Sequence, residues 1–335
     1  MSSTEALAAA LDSVKDPISG LGLIASGRAA PPRMADDMAS VILDVTGLSA
    51  RAREALEGSI KAALGAIAGV AGVRVAMTAE KRARRLIAIG SGKGGVGKST
   101  VSANVAIALQ RLGVKVGLID ADIYGPSQAR LMATEGMRPE AEDQKMIPVP
   151  SRFGVPMLSM AHLVRGGQAI AWRGPMAGNA LGQLIDAHWG EVDTLIVDLP
   201  PGTGDIQLSL IQKHKPKGAI IVSTPQDLAL IDAARAIDLF NQSTVPIVGL
   251  VENMAGYQCP HCGEVSDPFG AGGAEAAAAT LGLPFLGRVP LEIAIRKASD
   301  AGEPPAAGGD AHAQPFLDIA GRLLEWLNPG VVRQF

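Results

Sequence analysis

Three groups of residues in this chain have types and spacings that could do chemistry. The first is Gly92-Lys93-Gly94-Gly95-Val96-Gly97-Lys98-Ser99, followed by Thr100. Its spacing is that of a phosphate-binding loop: the glycines let the backbone curl round an anion with its N–H groups turned inward. A helix starting there adds the positive end of its dipole. Lys98 is placed to reach the β- and γ-phosphates, and Ser99 to ligate Mg2+. A chance glycine-rich turn is the plainer alternative, but the motif requires a strand before it and a helix after it. Residues 86–89 read as that strand, and Val101, Val105, Ala108, Leu109 and Leu112 recur at helical spacing up to a stop at Gly113.

The second group is a set of carboxylates at the ends of apolar runs. Asp120 and Asp122 close one run, and Asp198 closes another. Asp122 is placed to position an attacking water, Asp120 to hold a metal-bound water, and Asp198 to orient Mg2+ or its waters. Each could instead cap a turn. Behind Asp198 comes Leu199-Pro200-Pro201-Gly202-Thr203-Gly204-Asp205, stiff at its prolines and able to turn sharply at its glycines. That suits a loop sensing the γ-phosphate, or a plain structural loop. Asn253 follows a later apolar run and can read an adenine amino group. No Asn-Lys-x-Asp motif follows a late strand, which favours ATP over GTP.

The third group is Cys259-Pro260-His261-Cys262-Gly263, which holds the chain's two cysteines. Such a pair can be a redox couple, half a zinc site or two iron–sulfur ligands. A redox couple of the helix-opening kind sits poorly with Gly263. A tetrahedral site needs four ligands, and one chain supplies two thiolates. Two chains supply four, enough for one zinc ion or one four-iron cluster. His261 reads as a solvated loop residue in preference to a further ligand.

These groups need elements to position them. Short apolar runs at 86–89, 114–119, 194–197, 219–222 and 247–251 alternate with helical patterns, which predicts a doubly wound, mostly parallel α/β sheet with ligands beyond the strand ends. Hydrophobic residues make up 47% of the chain and aromatics only 3%, a palette of Ala, Val, Ile and Leu that suits such a sheet. Residues 1–80 read as a separate small α/β unit. Val41, Leu43 and Val45 alternate as a strand; Leu56, Ile60, Ala63, Leu64 and Ile67 recur as a helix; Val73 and Val75 suggest a closing strand. Residues 78–85, with Lys81, Arg82, Arg84 and Arg85, read as a solvated basic linker to the domain of residues 81–335.

Net charge is −3 with no dense basic stripe, which argues against nucleic acid as a partner. No apolar run reaches membrane-spanning length, the first residues lack the order of a signal peptide, and the cysteines are too few for a secreted disulfide framework. A cytoplasmic protein is expected. Residues 316–327 are apolar on one face but carry one cation, Arg322, among Asp318 and Glu325. That is a packed helix, not the basic tail of a membrane-positioning ATPase.

The second lysine of the loop, Lys93, makes it resemble the deviant-Walker ATPases, the class of septum-site, plasmid-partition and nitrogenase iron proteins. In that class this lysine crosses a dimer interface to the partner's nucleotide, which implies a homodimer. Over roughly residues 85–310 the chain resembles the Mrp/ApbC family of iron–sulfur cluster carrier ATPases. The match runs through Lys93–Ser99, Asp120-Ala121-Asp122-Ile123-Tyr124-Gly125-Pro126-Ser127 and Trp172-Arg173-Gly174-Pro175-Met176. It continues through 198–205, Glu252-Asn253-Met254, the cysteine pair, Phe269-Gly270, Ile295-Arg296 and Ser299-Asp300. The partition and septum-site relatives lack the cysteine pair. The resemblance implies slow ATP hydrolysis, a labile 4Fe-4S cluster bridged by Cys259 and Cys262 of two chains, and its delivery to apo iron–sulfur proteins. Residues 1–80 resemble the small N-terminal domain of many bacterial members, with Asp16-Pro17-Ile18 at its turn and no cysteine. A partition or positioning ATPase and a zinc-bridged dimeric ATPase are the alternatives.

Overall fold

The computed structural model describes residues 3–46, 48, 50–79, 84–163 and 174–329. Lys81 and Arg82 of the expected linker, and Trp172-Arg173 of the quoted motif, lie outside them. Two compact units are present: Met1–Ala83 with Glu142–Gln144, and Arg84–Ala141 with Lys145–Phe335.

The first unit contains α1 (Ser3–Ser13), β1 (Arg33–Ala35), β2 (Met38–Asp44), α2 (Ala50–Gly65) and β3 (Gly72–Thr78). β2 pairs antiparallel with β1 and parallel with β3. Its alternation buries Ala39, Val41 and Leu43 and exposes Met38, Ser40 and Ile42. The buried face packs with Leu7 and Leu11 of α1 and with Leu56, Ile60 and Leu64 of α2, so the period-two strand and the period-3.6 helices share one core.

The second unit begins with β4 (Arg85–Gly90), α3 (Lys98–Arg111), β5 (Val116–Asp120) and α4 (Gln128–Leu131). The strands β6 (Glu140–Glu142) and β7 (Lys145–Ile147) pair with each other, and β8 (Met157–Ser159), α5 (Met160–Leu163), α6 (Gly174–Ile185), β9 (Thr194–Asp198) and α7 (Asp205–Ser209) follow. Next come β10 (Gly218–Ser223), α8 (Asp227–Gln242), β11 (Ile247–Asn253) and the short strands β12 (Tyr257–Gln258) and β13 (Val265–Ser266). The chain closes with α9 (Gly273–Leu281), β14 (Phe285–Val289), α10 (Ile293–Asp300) and α11 (Gln314–Leu327).

Seven strands form one sheet in the order β14-β11-β10-β4-β9-β5-β8, every pairing parallel. Successive residues of β4 feed opposite cores. Ile87 and Ile89 join α3 and α11, while Leu86 and Ala88 join α6 and α8. A sheet buried on both faces needs apolar residues at both parities, which is why its strands read as continuous runs. The edge strands β8 and β14 are the two that the sequence pattern did not mark. The residues read as a packed helix, 316–327, lie in α11, which buries Phe316, Ile319, Leu323 and Leu327. Arg84 and Arg85 correct the linker expectation. Arg85 opens β4 and pairs with Asp193 at 2.9 Å, and Arg84 donates to the Val192 carbonyl.

The chain leaves β4 through α3 for β5, and β9 later fills the gap between them. That reversal of direction opens a crevice at the carboxyl ends of β4, β9 and β5, where the candidate residues gather.

Candidate functional site

Residues 91–97 join β4 to α3, and their shape depends on glycine at defined places. Gly95 and Gly97 have φ of 81° and 77°, the left-handed region that other residues rarely enter. At Gly92 a side chain has no room, since a Cβ would sit 2.0 Å from the backbone of Asp232 on α8. The loop forms one wall of a cleft of about 430 Å³, whose lining includes Lys93 through Thr100, Asp122, Pro201, Asn253 and residues 290–292. Ser99 and Thr100 open α3 there with their amides still free of helix partners, the usual setting for a bound phosphate.

Lys98 points inward. Its Nζ lies 2.6 Å from Asp198 Oδ1 and 3.4 Å from Ser99 Oγ, and its side chain is 6% exposed against 0% for Asp198. Asp198 Oδ1 also accepts from Ser102 Oγ at 2.8 Å, and Oδ2 accepts from Gln128 Nε2 at 2.9 Å. Asp120 is its register partner on β5. Asp120 accepts from the amides of Gln128 and Asp122 and from Ser159 Oγ. Burial, and next the neighbouring charge of Asp198, push the Asp120 carboxyl up to about 7. Both carboxylates are fully buried behind Lys98 and Ser99 and do not form the cleft wall. Asp122 does line the cleft, and its Oδ1 accepts from the amides of Tyr124 and Gly125. It therefore caps its turn and still presents a carboxylate to the cleft.

The loop after Asp198 closes against the phosphate-binding loop. The Gly202 amide donates to the Ser91 carbonyl at 2.9 Å, and Gln207 Nε2 holds the carbonyls of Pro200 and Gly202. Lys93 lines the cleft and has no ion-pair partner among the described residues.

Asn253 ends β11. Its Nδ2 donates to the Val96 carbonyl at 2.8 Å, so it braces the phosphate-binding loop from the far side, leaving Oδ1 as the acceptor that an adenine amino group needs. Glu252 beside it faces the other way. It is fully buried and accepts from the amides of Gly272 and Ala274 at the start of α9, and from Arg288 Nε at 2.9 Å.

Four residues past Asn253 the chain enters a hairpin made by β12 and β13. Cys259 and Cys262 lie at its tip, free, with Cys262 exposed. The Cys259 amide donates to Glu264 O and the Gly263 amide to Cys259 O, each at 2.9 Å. The amide of Cys262, then that of His261, and the Cys262 thiol lower the Cys259 thiol toward thiolate. His261 is exposed on the same turn. No cluster of three or more His, Cys, Asp or Glu able to hold a metal occurs among the described residues, so the hairpin offers two thiolates and those residues supply no third ligand beside them. The hairpin is tied to the cleft, because the Leu291 amide donates to Gly256 O and the Ala255 amide to Val289 O.

Three participants escaped the sequence reading: Ser102, Gln128 and Ser159. Ser102 is one turn beyond Lys98, and Gln128 directly follows the quoted stretch ending in Ser127, so position was the available signal. Their neutral side chains gave no chemical one.

Comparison with known proteins gives the family and the fold. A family model described as ParA, NUBPL iron-transfer P-loop NTPase, matches residues 82–324. An iron-sulfur cluster carrier protein of Deinococcus radiodurans is 44% identical over 311 residues, covering 90% of this chain and 88% of that protein. An Arabidopsis thaliana iron-sulfur protein required for NADH dehydrogenase, mitochondrial, is 47% identical over 247 residues, covering 72% and 78%. Among solved structures, a nucleotide-binding protein of Archaeoglobus fulgidus in complex with ADP is 39% identical, with a TM-score of 0.60 over 68% of this chain and 89% of that one. The cell division protein MinD of Aquifex aeolicus, 23% identical with a TM-score of 0.53 over 75% and 99%, shares the fold.

Proposed function

This chain belongs to the NUBPL family of iron-transfer P-loop NTPases, and on that premise we propose that it is an ATP hydrolase carrying a 4Fe-4S cluster between two copies of itself and delivering it to apo iron–sulfur proteins. The observation that carries this reading is the cysteine hairpin. Two accessible thiols, one biased to thiolate, sit on a tip tethered to the residue that braces the phosphate-binding loop. Two thiolates per chain call for a second chain to complete four ligands. Exposed ligands on a short hairpin suit a cargo that must leave. No helix among the described residues is long and apolar enough to cross a membrane, and α11 spends its apolar face on the core. The packing of α11 weighs against a membrane-positioning role.

In the mechanism, the phosphates of ATP draw Lys98 away from Asp198, and the amides at the start of α3 take the phosphate oxygens. Asp198, fully buried, then lacks its counter-ion, so the residues fit a divalent cation: Ser99 and Asp198 would hold it with Asp120 behind. That cation would neutralise phosphate charge. Asp122 orients a water whose oxygen bonds to the γ-phosphorus as the bond to the β–γ bridging oxygen breaks, leaving ADP and phosphate. Lys93, without an ion-pair partner among the described residues, would meet the partner copy's phosphates, and Asn253 Oδ1 would take the adenine amino group. Residues 199–205 report γ-phosphate loss, and the units of the dimer reset.

Anaerobic reconstitution with iron and sulfide, with metal counting beside a Cys259→Ala variant, tests the reading. Visible absorption with about four irons per dimer, lost in the variant, is the expected result. Tight zinc with no iron uptake overturns the carrier role and leaves a zinc-pinned dimeric ATPase.

A further inference from the structure

Gln128 bonds to both buried carboxylates of the site and to the backbone of Ser99. Its backbone amide donates to Asp120 Oδ2 at 3.0 Å. Its side-chain Nε2 donates to Asp198 Oδ2 and to the Ser99 carbonyl, each at 2.9 Å. Both partners of Nε2 are acceptors, which fixes the orientation of the amide. The side chain is fully buried, and its Oε1 has no hydrogen-bond partner among the described residues. A buried amide oxygen left unpaired costs free energy, so a site that keeps one holds it against a gain made elsewhere.

We propose that Gln128 is a positioning residue for phosphoryl transfer: it holds Asp198 and Ser99 in place while Lys98 changes partners. Asp198 has three donors, Lys98, Ser102 and Gln128. Lys98 lies 2.6 Å from Asp198 and must leave it to reach a phosphate. Ser102 and Gln128 then remain. Of these, only Gln128 holds Oδ2 and also fixes the backbone of Ser99, whose hydroxyl opens on the cleft. Gln128 also stands between two carboxylates that repel, with its amide on one and its side chain on the other. The unpaired Oε1 is an acceptor available to a water bound beside Asp198. Gln128 thus acts on the coupling between cation and nucleotide, more than on nucleotide contact, since it does not line the cleft.

This inference rests on the reading of the loop as an Mg2+-dependent ATPase. The experiment measures binding of a fluorescent N-methylanthraniloyl ATP to the full chain in EDTA and in Mg2+, with kcat and KM for ATP and the melting temperature. It compares wild type with Gln128→Met, which keeps volume and removes the amide, and with Gln128→Asn, which withdraws the amide by one methylene. The expected result is affinity in EDTA within about two-fold of wild type, an Mg2+-dependent gain in affinity reduced at least ten-fold, and a loss in kcat exceeding any rise in KM. A merely structural residue would lower the melting temperature and leave the Mg2+-dependent gain intact in the folded protein. That outcome in either variant overturns the proposal. If wild type itself shows no Mg2+-dependent binding, the ATPase reading fails, and this inference falls with it.

Discussion

Replacing Asp120 by Asn is expected to stabilise the nucleotide-free protein at alkaline pH while it removes activity. Asp120 is fully buried and lies beside Asp198, and its carboxyl is pushed from 3.8 up to about 7. Below about pH 4 folded and unfolded chains both carry the proton. Between pH 4 and 7 only the folded chain keeps it, so stability falls as pH rises through that window and is lowest above it. A shift of about three units corresponds to roughly 4 kcal/mol lost by pH 8. Asn removes that penalty but fits imperfectly. One side-chain oxygen can still serve the Gln128 amide and Ser159, while the new NH2 faces the Asp122 amide that Asp120 Oδ1 accepted at 3.2 Å. An orphaned buried donor costs about 1–3 kcal/mol, leaving a net gain of about 1–3 kcal/mol at pH 8. The mismatch is independent of pH and the charge effect is not. Hence the stability difference between variant and wild type should shrink by about 2–3 kcal/mol from pH 8 to pH 5. Urea unfolding in EDTA, followed by tryptophan fluorescence, measures it, because Trp189 and Trp326 belong to the second unit. A difference that does not change with pH would refute the assignment of the buried proton to Asp120.

Lys98→Ala is expected to lower hydrolysis by at least 100-fold and abolish cluster transfer while iron per dimer stays at the wild-type value; transfer at the normal rate would separate delivery from the nucleotide. The same variant leaves Asp198 buried without its cation, a loss of about 3–5 kcal/mol, readable as a lower urea midpoint at pH 8. Asn253→Ala removes the brace on Val96 and the acceptor facing the base. KM for ATP should rise about ten-fold, and nucleotide should no longer change the rate of iron release to a chelator. Lys93→Ala should cut kcat at protein concentrations where wild type is dimeric and leave kcat insensitive to protein concentration, which a dilution series checks. Gly97→Ala puts a Cβ 2.1 Å from Asn253 Nδ2 at a φ of 77°, so loss of nucleotide binding is expected by the same titration.

Much of the fold was legible because a sheet buried on both faces writes itself as continuous apolar runs. The five inner strands announced themselves, and strict alternation did the same for β2 in the first unit. The edge strand β8 is only three residues long and β14 carries Gly287 and Arg288, so neither presents such a run. The phosphate-binding loop was readable since its glycines answer backbone demands that no other residue meets. The pairing of Lys98 with Asp198 was not, because it joins residues 100 positions apart and each had been assigned to the nucleotide. Asn253 likewise carried a reading for the base, whereas its donor is committed to the loop itself. Sequence names a group's chemistry more readily than the partner that occupies it when no ligand is bound. Arg84 and Arg85 show the converse, since composition marked them as solvated and register with Asp193 and Val192 paired them.

The distance in sequence between the cysteine hairpin and the phosphate-binding loop's brace is short where the chain passes through Asn253. Its side chain holds Val96 of the phosphate-binding loop, and six residues later Cys259 opens the cysteine turn. Between them Met254 and Gly256 take φ of 60° and 70°, so the backbone is turned by defined conformations, not left as a linker. The Ala255 amide is bonded to Val289, the last residue of β14, and the Gly256 carbonyl to Leu291 just past it, and the segment 290–292 that holds Gly256 also lines the nucleotide cleft. A ligand that shifts either Val96 or Leu291 therefore acts on the base of the hairpin through hydrogen bonds already in place. Differential contact of that kind is what a nucleotide needs to change the affinity of a distant cargo. Any such coupling is reciprocal: a cluster that fixes the hairpin would alter nucleotide affinity by the same factor. Titrating the fluorescent ATP analogue into apo and cluster-loaded protein measures that factor, and a ratio of one would show that the tether transmits nothing.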